Sequence, residues 1–192
     1  MKKVLAAALA AGMLAAAGAH AAVIMHIAES GGNVNVTASG SLDLTGAVYH
    51  HQQDYSTGII PGESNWYVAL GDTPGLDWYQ LTGTTLPFGI STNYFSSGVT
   101  SGDGFALWGY GGGTPLVGLA AGYASGNPIS SSMMISGQSI AGMTLIPGTY
   151  MFTLPGDEII LEIGNNVPEP ASLALMLGGL AAGVTARRRT RA

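Results

Sequence analysis

Cysteine is absent from the 192 residues, which excludes disulfides, thiolate catalysis and thiolate metal sites. The same absence removes the acylated cysteine of a bacterial lipoprotein, so any membrane attachment has to come from a peptide segment. Positive charge is nearly as scarce. The six cationic side chains are Lys2, Lys3, Arg187, Arg188, Arg189 and Arg191, and residues 22–166 hold none. That interior carries Glu29, Asp43, Asp54, Glu63, Asp72, Asp77, Asp103, Asp157, Glu158 and Glu162, so the net charge of -5 conceals a middle near -10. A domain without a basic footprint is not a nucleic-acid binder. Nor can Lys or Arg salt bridges hold it together. Charged residues make up 9% of the chain, against roughly 25% in ordinary soluble domains. Apolar burial and backbone hydrogen bonding therefore have to carry the fold.

The two ends read as addresses. At the N-terminus, MKKVLAAALAAGMLAAAGAHAA places Lys2 and Lys3 before an uncharged apolar run and ends on Ala19-His20-Ala21. Charged start, apolar middle and small-x-small end form the secretory signal pattern, with residues 1–21 removed after Ala21. His20 would leave with them. At the other end, residues 171–186 form an apolar stretch followed by Arg187, Arg188, Arg189 and Arg191. As a helix at about 1.5 Å per residue it reaches roughly 24 Å, short of a bilayer core of about 30 Å. Snorkelling arginines extend that reach. They also set its direction, with the arginines in the cytoplasm and the preceding domain outside. Before the helix, Pro168 and Pro170 bracket Glu169 and hold the backbone extended. Such a segment suits the cleft of a processing enzyme, and suits equally a stiff linker before a tail anchor.

The stretch VPEPASLALMLGGLAAGVTARRR resembles the PEP-CTERM sorting signal of Gram-negative bacteria: a Pro-Glu-Pro triplet, a short apolar helix and an arginine cluster, in order over residues 167–191. The resemblance implies export through the secretion machinery, a transient inner-membrane anchor, and recognition of Pro168, Glu169 and Pro170 by an exosortase. It further implies a setting at the cell surface or in the extracellular matrix, with exopolysaccharide and biofilm as the associated partner. The segment from Gly118 to Gly164 resembles a domain that often precedes this signal, through Gly122 to Gly126, through Leu145 to Tyr150, and through Asp157, Leu161, Ile163 and Gly164. That likeness implies fold and setting, since the domain has no assigned activity.

Residues 22–166 are enough for one hydrophobic core. Val34, Val36 and Ala38 alternate with polar residues, as Leu42 and Leu44 do again, which is strand periodicity. Further strands are expected at 23–28, 65–70, 104–108, 131–135, 149–154 and 158–163. Turn signals separate them: GG at 31–32, PG at 61–62, 74–75, 147–148 and 155–156, and SGDG at 101–104. Short strands with glycine-rich punctuation and no 3.6-residue period predict an all-β domain, a single β-sandwich or jelly roll. It would lie between the N-terminal signal helix and the C-terminal transmembrane helix.

No assembled catalytic signature emerges. His50, His51 and Asp54 are the one compact His/carboxylate group, expected as an exposed polar loop, because adjacent strand positions face opposite ways. Gly122-Tyr123-Ala124-Ser125-Gly126 sets its serine one place late for a nucleophile elbow. Asp157 and Glu158, neighbours in a turn, are expected to be solvated rather than paired across a substrate. Asp72, Asp77 and Asp103 sit among glycines, where turn formation is the simpler role than a weak Ca²⁺ site. Trp66-Tyr67, Trp78-Tyr79 and Trp108-x-Tyr110 are the remaining aromatic groups, and one ring of each adjacent pair can enter a core while the other faces solvent. Exposed rings beside Asp and Asn would make a sugar-stacking surface, although core packing explains them equally well.

The reading is a non-enzymatic exported protein without cofactor or metal, delivered to the surface or matrix. Two alternatives stand beside it. A secreted polysaccharide hydrolase would need two facing carboxylates roughly 5–10 Å apart. An unprocessed tail-anchored protein facing the periplasm would keep its arginine tail.

Overall fold

Val23, Met25 and Ile27 are fully buried while the alternating Ile24, His26 and Ala28 are not, so the first strand obeys a period of two. The computed structural model describes residues 22–62, 64–82, 87–110 and 113–164. Among these it has thirteen strands and no helix. In chain order they are β1 (Ala22–Ser30), β2 (Asn33–Gly40), β3 (Tyr49–Gln53), β4 (Gly58–Ile60), β5 (Asn65–Leu70), β6 (Leu76–Gln80) and β7 (Phe95–Ser96). There follow β8 (Val99–Gly102), β9 (Phe105–Tyr110), β10 (Leu116–Leu119), β11 (Ile129–Ser136), β12 (Gly148–Thr153) and β13 (Glu158–Ile163). The signal segment 1–21, Glu63, and the tail with its expected helix at 171–186 lie outside the described residues.

Two sheets form: six strands in the order β12-β13-β1-β2-β11-β8, and seven in the order β3-β6-β10-β9-β5-β4-β7. The hairpin from β1 to β2 closes on Ser30 opposite Asn33. Gly31 and Gly32 turn it with φ of 61° and 76°, the primed geometry that matches the strands' right-handed twist. The inner faces meet in one core. Met25, Val36, Met133, Phe152 and Leu161 from the six-stranded sheet join Trp66, Val68, Leu70, Phe105, Leu107 and Val117 from the other. Each fully buried large side chain contributes about 1.5–3 kcal/mol. The expected sandwich is therefore present. The pairing of β1 with β13 is parallel, which departs from an all-antiparallel jelly roll.

The two outer faces differ, and that difference locates the site. On the six-stranded sheet one register row reads Thr149, Glu162, His26, Thr37, Ser132 and Ser101, an ordinary polar face. His26 Nδ1 stands 3.0 Å from Glu162 Oε2, close in distance but not aligned as a hydrogen bond. On the seven-stranded sheet the outer face is apolar: Tyr67, Ala69, Leu76, Trp78, Ala106 and Leu116 form a second buried cluster, with Tyr55, Ile60 and Trp108 packed on it. Each face seats a tryptophan over a cross-strand glycine. Trp66 pairs with Gly109 on the inner face and Trp78 with Gly118 on the outer. A Cβ at Gly109 would fall inside the Trp66 indole, and one at Gly118 would stand 3.0 Å from the Trp78 ring.

Candidate functional site

Because the outer face of the seven-stranded sheet is apolar, something has to cover it. The cover is the segment 54–57 between β3 and β4 together with Gln53 at the end of β3, and neighbouring side chains fasten its carbonyls. Trp78 Nε1 donates to Gln53 O at 3.4 Å, and Thr73 Oγ1 donates to Tyr55 O at 2.6 Å. The Tyr67 hydroxyl donates to Ser56 O, and the Tyr94 hydroxyl donates to Thr57 O at 2.7 Å. Asp54 accepts the Gly75 N–H from the turn before β6. These bonds tie the cover to the loops and strands beneath it.

Between this cover and the sheet opens a cleft of about 470 Å³, lined by Asp54, Tyr55, Asn65, Tyr67, Tyr94 and Trp108 among others. The rings touch. Tyr55 lies 5.3 Å from Tyr67, 4.8 Å from Trp78 and 5.8 Å from Trp108, centroid to centroid. Trp108 donates its indole N–H to Asn65 Oδ1 at 3.0 Å, which fixes its plane. Tyr110 continues the strip at 6.5 Å from Trp108 and is 66% exposed. Burial pushes the Tyr55 and Tyr67 phenols above their ordinary range, so they stay neutral. The size lies within the range of small-ligand sites, and the chemistry on offer is ring stacking with an amide and a carboxylate at hand. Among the described residues lining the cleft, Asp54 is the one carboxylate.

In the two adjacent pairs the rings point to opposite faces of the sheet, as expected, but the faces are not core and solvent; Trp108 and Tyr110, two residues apart, share the outer face. Trp66 and Tyr67 are both buried, at 3% and 4%, because this sheet buries both of its faces. Trp78 is fully buried in the outer cluster, Tyr79 packs toward the inner core, and Trp108 is half-buried at the cleft. Tyr55, Tyr94 and Asn65 were not singled out by the sequence. Tyr55 is an isolated aromatic in a polar run, and only the folding of the 54–57 segment over the sheet brings it to the others.

His50 and His51 are not in a loop. They lie on edge strand β3, where a bulge between Tyr49 and His51 interrupts the pairing with β6. The bulge cancels the usual alternation, so the two rings meet at 4.7 Å with their Nδ1 atoms in contact. His51 stacks on Trp78 at 6.1 Å and 16°. Asp54 does not join them; it holds Gly75. Among the described residues no three His, Asp or Glu side chains are grouped to hold a metal ion.

Most other carboxylates serve the backbone. Asp103 accepts Ser130 N–H at 2.8 Å, and Asp77 accepts Gly122 N–H at 2.8 Å and the Gln52 amide at 3.0 Å. Asp157, expected to be solvated, accepts the N–H of both Asp43 and Glu158 at 2.8 Å. It borders a second cleft of about 310 Å³ with Thr153, Gly156 and Glu158. Ser125 Oγ accepts Leu44 N–H at 2.8 Å, and the Tyr123 hydroxyl accepts Leu42 N–H at 2.8 Å while donating to Asn127 O. The 122–126 loop thus clips the 42–44 segment, which packs against the core without being a strand. Of the other elements resembling a tail-preceding domain, Leu145 to Tyr150 leads into β12 and Asp157 stands before β13.

Residues 166–189 match the family model of the PEP-CTERM protein-sorting motif. The matched span contains Pro168, Glu169, Pro170 and the arginines at 187–189, and lies wholly C-terminal to the sandwich. The motif indicates an exported protein sorted by an exosortase. Neither the curated proteins nor the solved structures contain a match to the chain. Among the described residues no helix is long and apolar enough to cross a membrane.

Proposed function

We propose that the chain is a non-enzymatic surface or matrix protein that associates with exopolysaccharide through the aromatic cleft. In this reading Pro168, Glu169 and Pro170 are read by the exosortase, residues 171–186 anchor the chain transiently in the inner membrane, and Arg187, Arg188, Arg189 and Arg191 hold the anchor's direction. Residues 1–21 leave after export. The observation that carries the proposal is the cleft: neutral rings, one side amide and one carboxylate, placed on the outer face of a rigid sheet. Aromatic faces stack on the apolar faces of sugar rings, and polar groups at the edge fix orientation.

The test is co-sedimentation of the full chain with matrix polysaccharide from the native host, scored for bound protein and for new reducing ends. Binding without release of reducing ends is expected. Tyr94→Ala, at an exposed position, should weaken binding about tenfold, a loss of about 1.4 kcal/mol. Release of reducing ends by the purified chain would overturn the non-enzymatic reading, and undiminished binding by Tyr94→Ala would overturn the assignment of the cleft.

A further inference from the structure

The same cleft has a charge character beyond ring stacking. Tyr55, Tyr94 and Trp108 line one cleft over the Tyr67 ring, which is 4% exposed and 5.3 Å from Tyr55, and each aromatic face is the negative end of a quadrupole. Asp54 stands at the rim, exposed, with one oxygen on Gly75 N–H and the other without a protein donor among the described residues. Lys and Arg side chains are the protein's own means of meeting such faces, in cation–π pairs that recur about once per 70–80 residues. Here none can, because residues 22–166 contain neither residue. Rings and carboxylate therefore face the ligand with no internal cation to satisfy them. The field of the whole sandwich, with ten carboxylates and no Lys or Arg, draws cations toward the cleft and repels anions.

From this juxtaposition we infer that the cleft selects a glycan bearing free amino groups, a de-N-acetylated hexosamine polymer, over neutral and uronic-acid glycans. The inference rests on the glycan-binding reading above and names the sugar class. The protonated amine lies against the ring faces within reach of Asp54, and the pyranose stacks on Trp108. N-acetylation removes the charge, and a uronate brings its own carboxylate against Asp54.

Isothermal titration of the full chain with three oligosaccharides of matched length tests this: glucosamine oligomers, N-acetylglucosamine oligomers and a uronic-acid oligomer. The titrations are run at low salt and at a pH that protonates the amine. The glucosamine oligomer should bind about tenfold more tightly than its N-acetylated counterpart, and the uronic-acid oligomer should give no heat of binding. Asp54→Asn keeps an acceptor for Gly75 and should erase most of the preference for the glucosamine oligomer over its N-acetylated counterpart. Added salt should weaken the glucosamine oligomer selectively. Equal affinity for the charged and N-acetylated oligomers, both lost in Tyr94→Ala, would overturn amine selection and leave the glycan-binding reading standing. Binding of none of the three would overturn both, and an Asp54→Asn chain that kept the preference would overturn the role given to Asp54.

Discussion

At the scale of single residues, the scarcity of cations explains what the acids do. A carboxylate without Lys or Arg can find its donors in backbone N–H groups, and Glu29, Asp43, Asp54, Asp77, Asp103 and Asp157 all do so. Charge-assisted bonds of this kind are stronger than neutral ones, so the acids act as loop staples. Asp43 illustrates the consequence for pH. The Thr45 hydroxyl, and then the Thr45 N–H, hold its carboxyl below the ordinary carboxylate range. A folded pKa depressed in this way stabilises the fold fully above the unfolded value of about 3.9, and that contribution disappears as pH falls through the lower folded value. Protection of the Thr45 amide from hydrogen exchange should therefore drop as pH falls below about 4. Asp43→Asn should flatten that profile; a profile unchanged by the substitution would mean that another group sets it.

Elements differ in how plainly the sequence announces them, and the reason is which faces are buried. Strands β1, β2, β11 and β13 have one core face and one wet face, so apolar and polar residues alternate and their positions are legible. The seven-stranded sheet hides both faces. Its β10 is buried at every position, and β4 has only three residues, so neither shows a period. Edge strand β3, Tyr-His-His-Gln-Gln, is polar and bulged, and reads as a loop. The site was legible in part for the same reason: its tryptophans stand out, but no local pattern says that the outer face is covered or that Tyr55 and Tyr94 belong to the covering. The Trp–Gly pairs offer a test of the double burial. Gly109→Ala would drive its methyl into Trp66, and overpacking of this kind costs about 1–3 kcal/mol. Denaturant unfolding should register that loss, with a red-shift of tryptophan emission if Trp66 is displaced toward water. No loss of stability would mean that the inner face has slack around Trp66.

For the whole molecule, charge is arranged by position along the chain: cations at the two ends, acids between. The arrangement fits a chain whose ends deal with the membrane and whose middle works outside it. The sandwich lies between two segments read as addresses, and the sorting motif at 166–189 follows its last strand almost at once. A short connection leaves little spacer between a folded domain and the exosortase, so processing would release the sandwich nearly bare. The most direct test is the intact mass of the mature protein isolated from its native host. The account predicts a chain that begins at Ala22 and has lost Arg187, Arg188, Arg189 and Arg191, with the C-terminal cleavage abolished or misplaced, and the N-terminus still Ala22, when Pro168, Glu169 and Pro170 are replaced by alanine. A mature mass that still includes the arginine tail would contradict it and identify a permanent tail anchor.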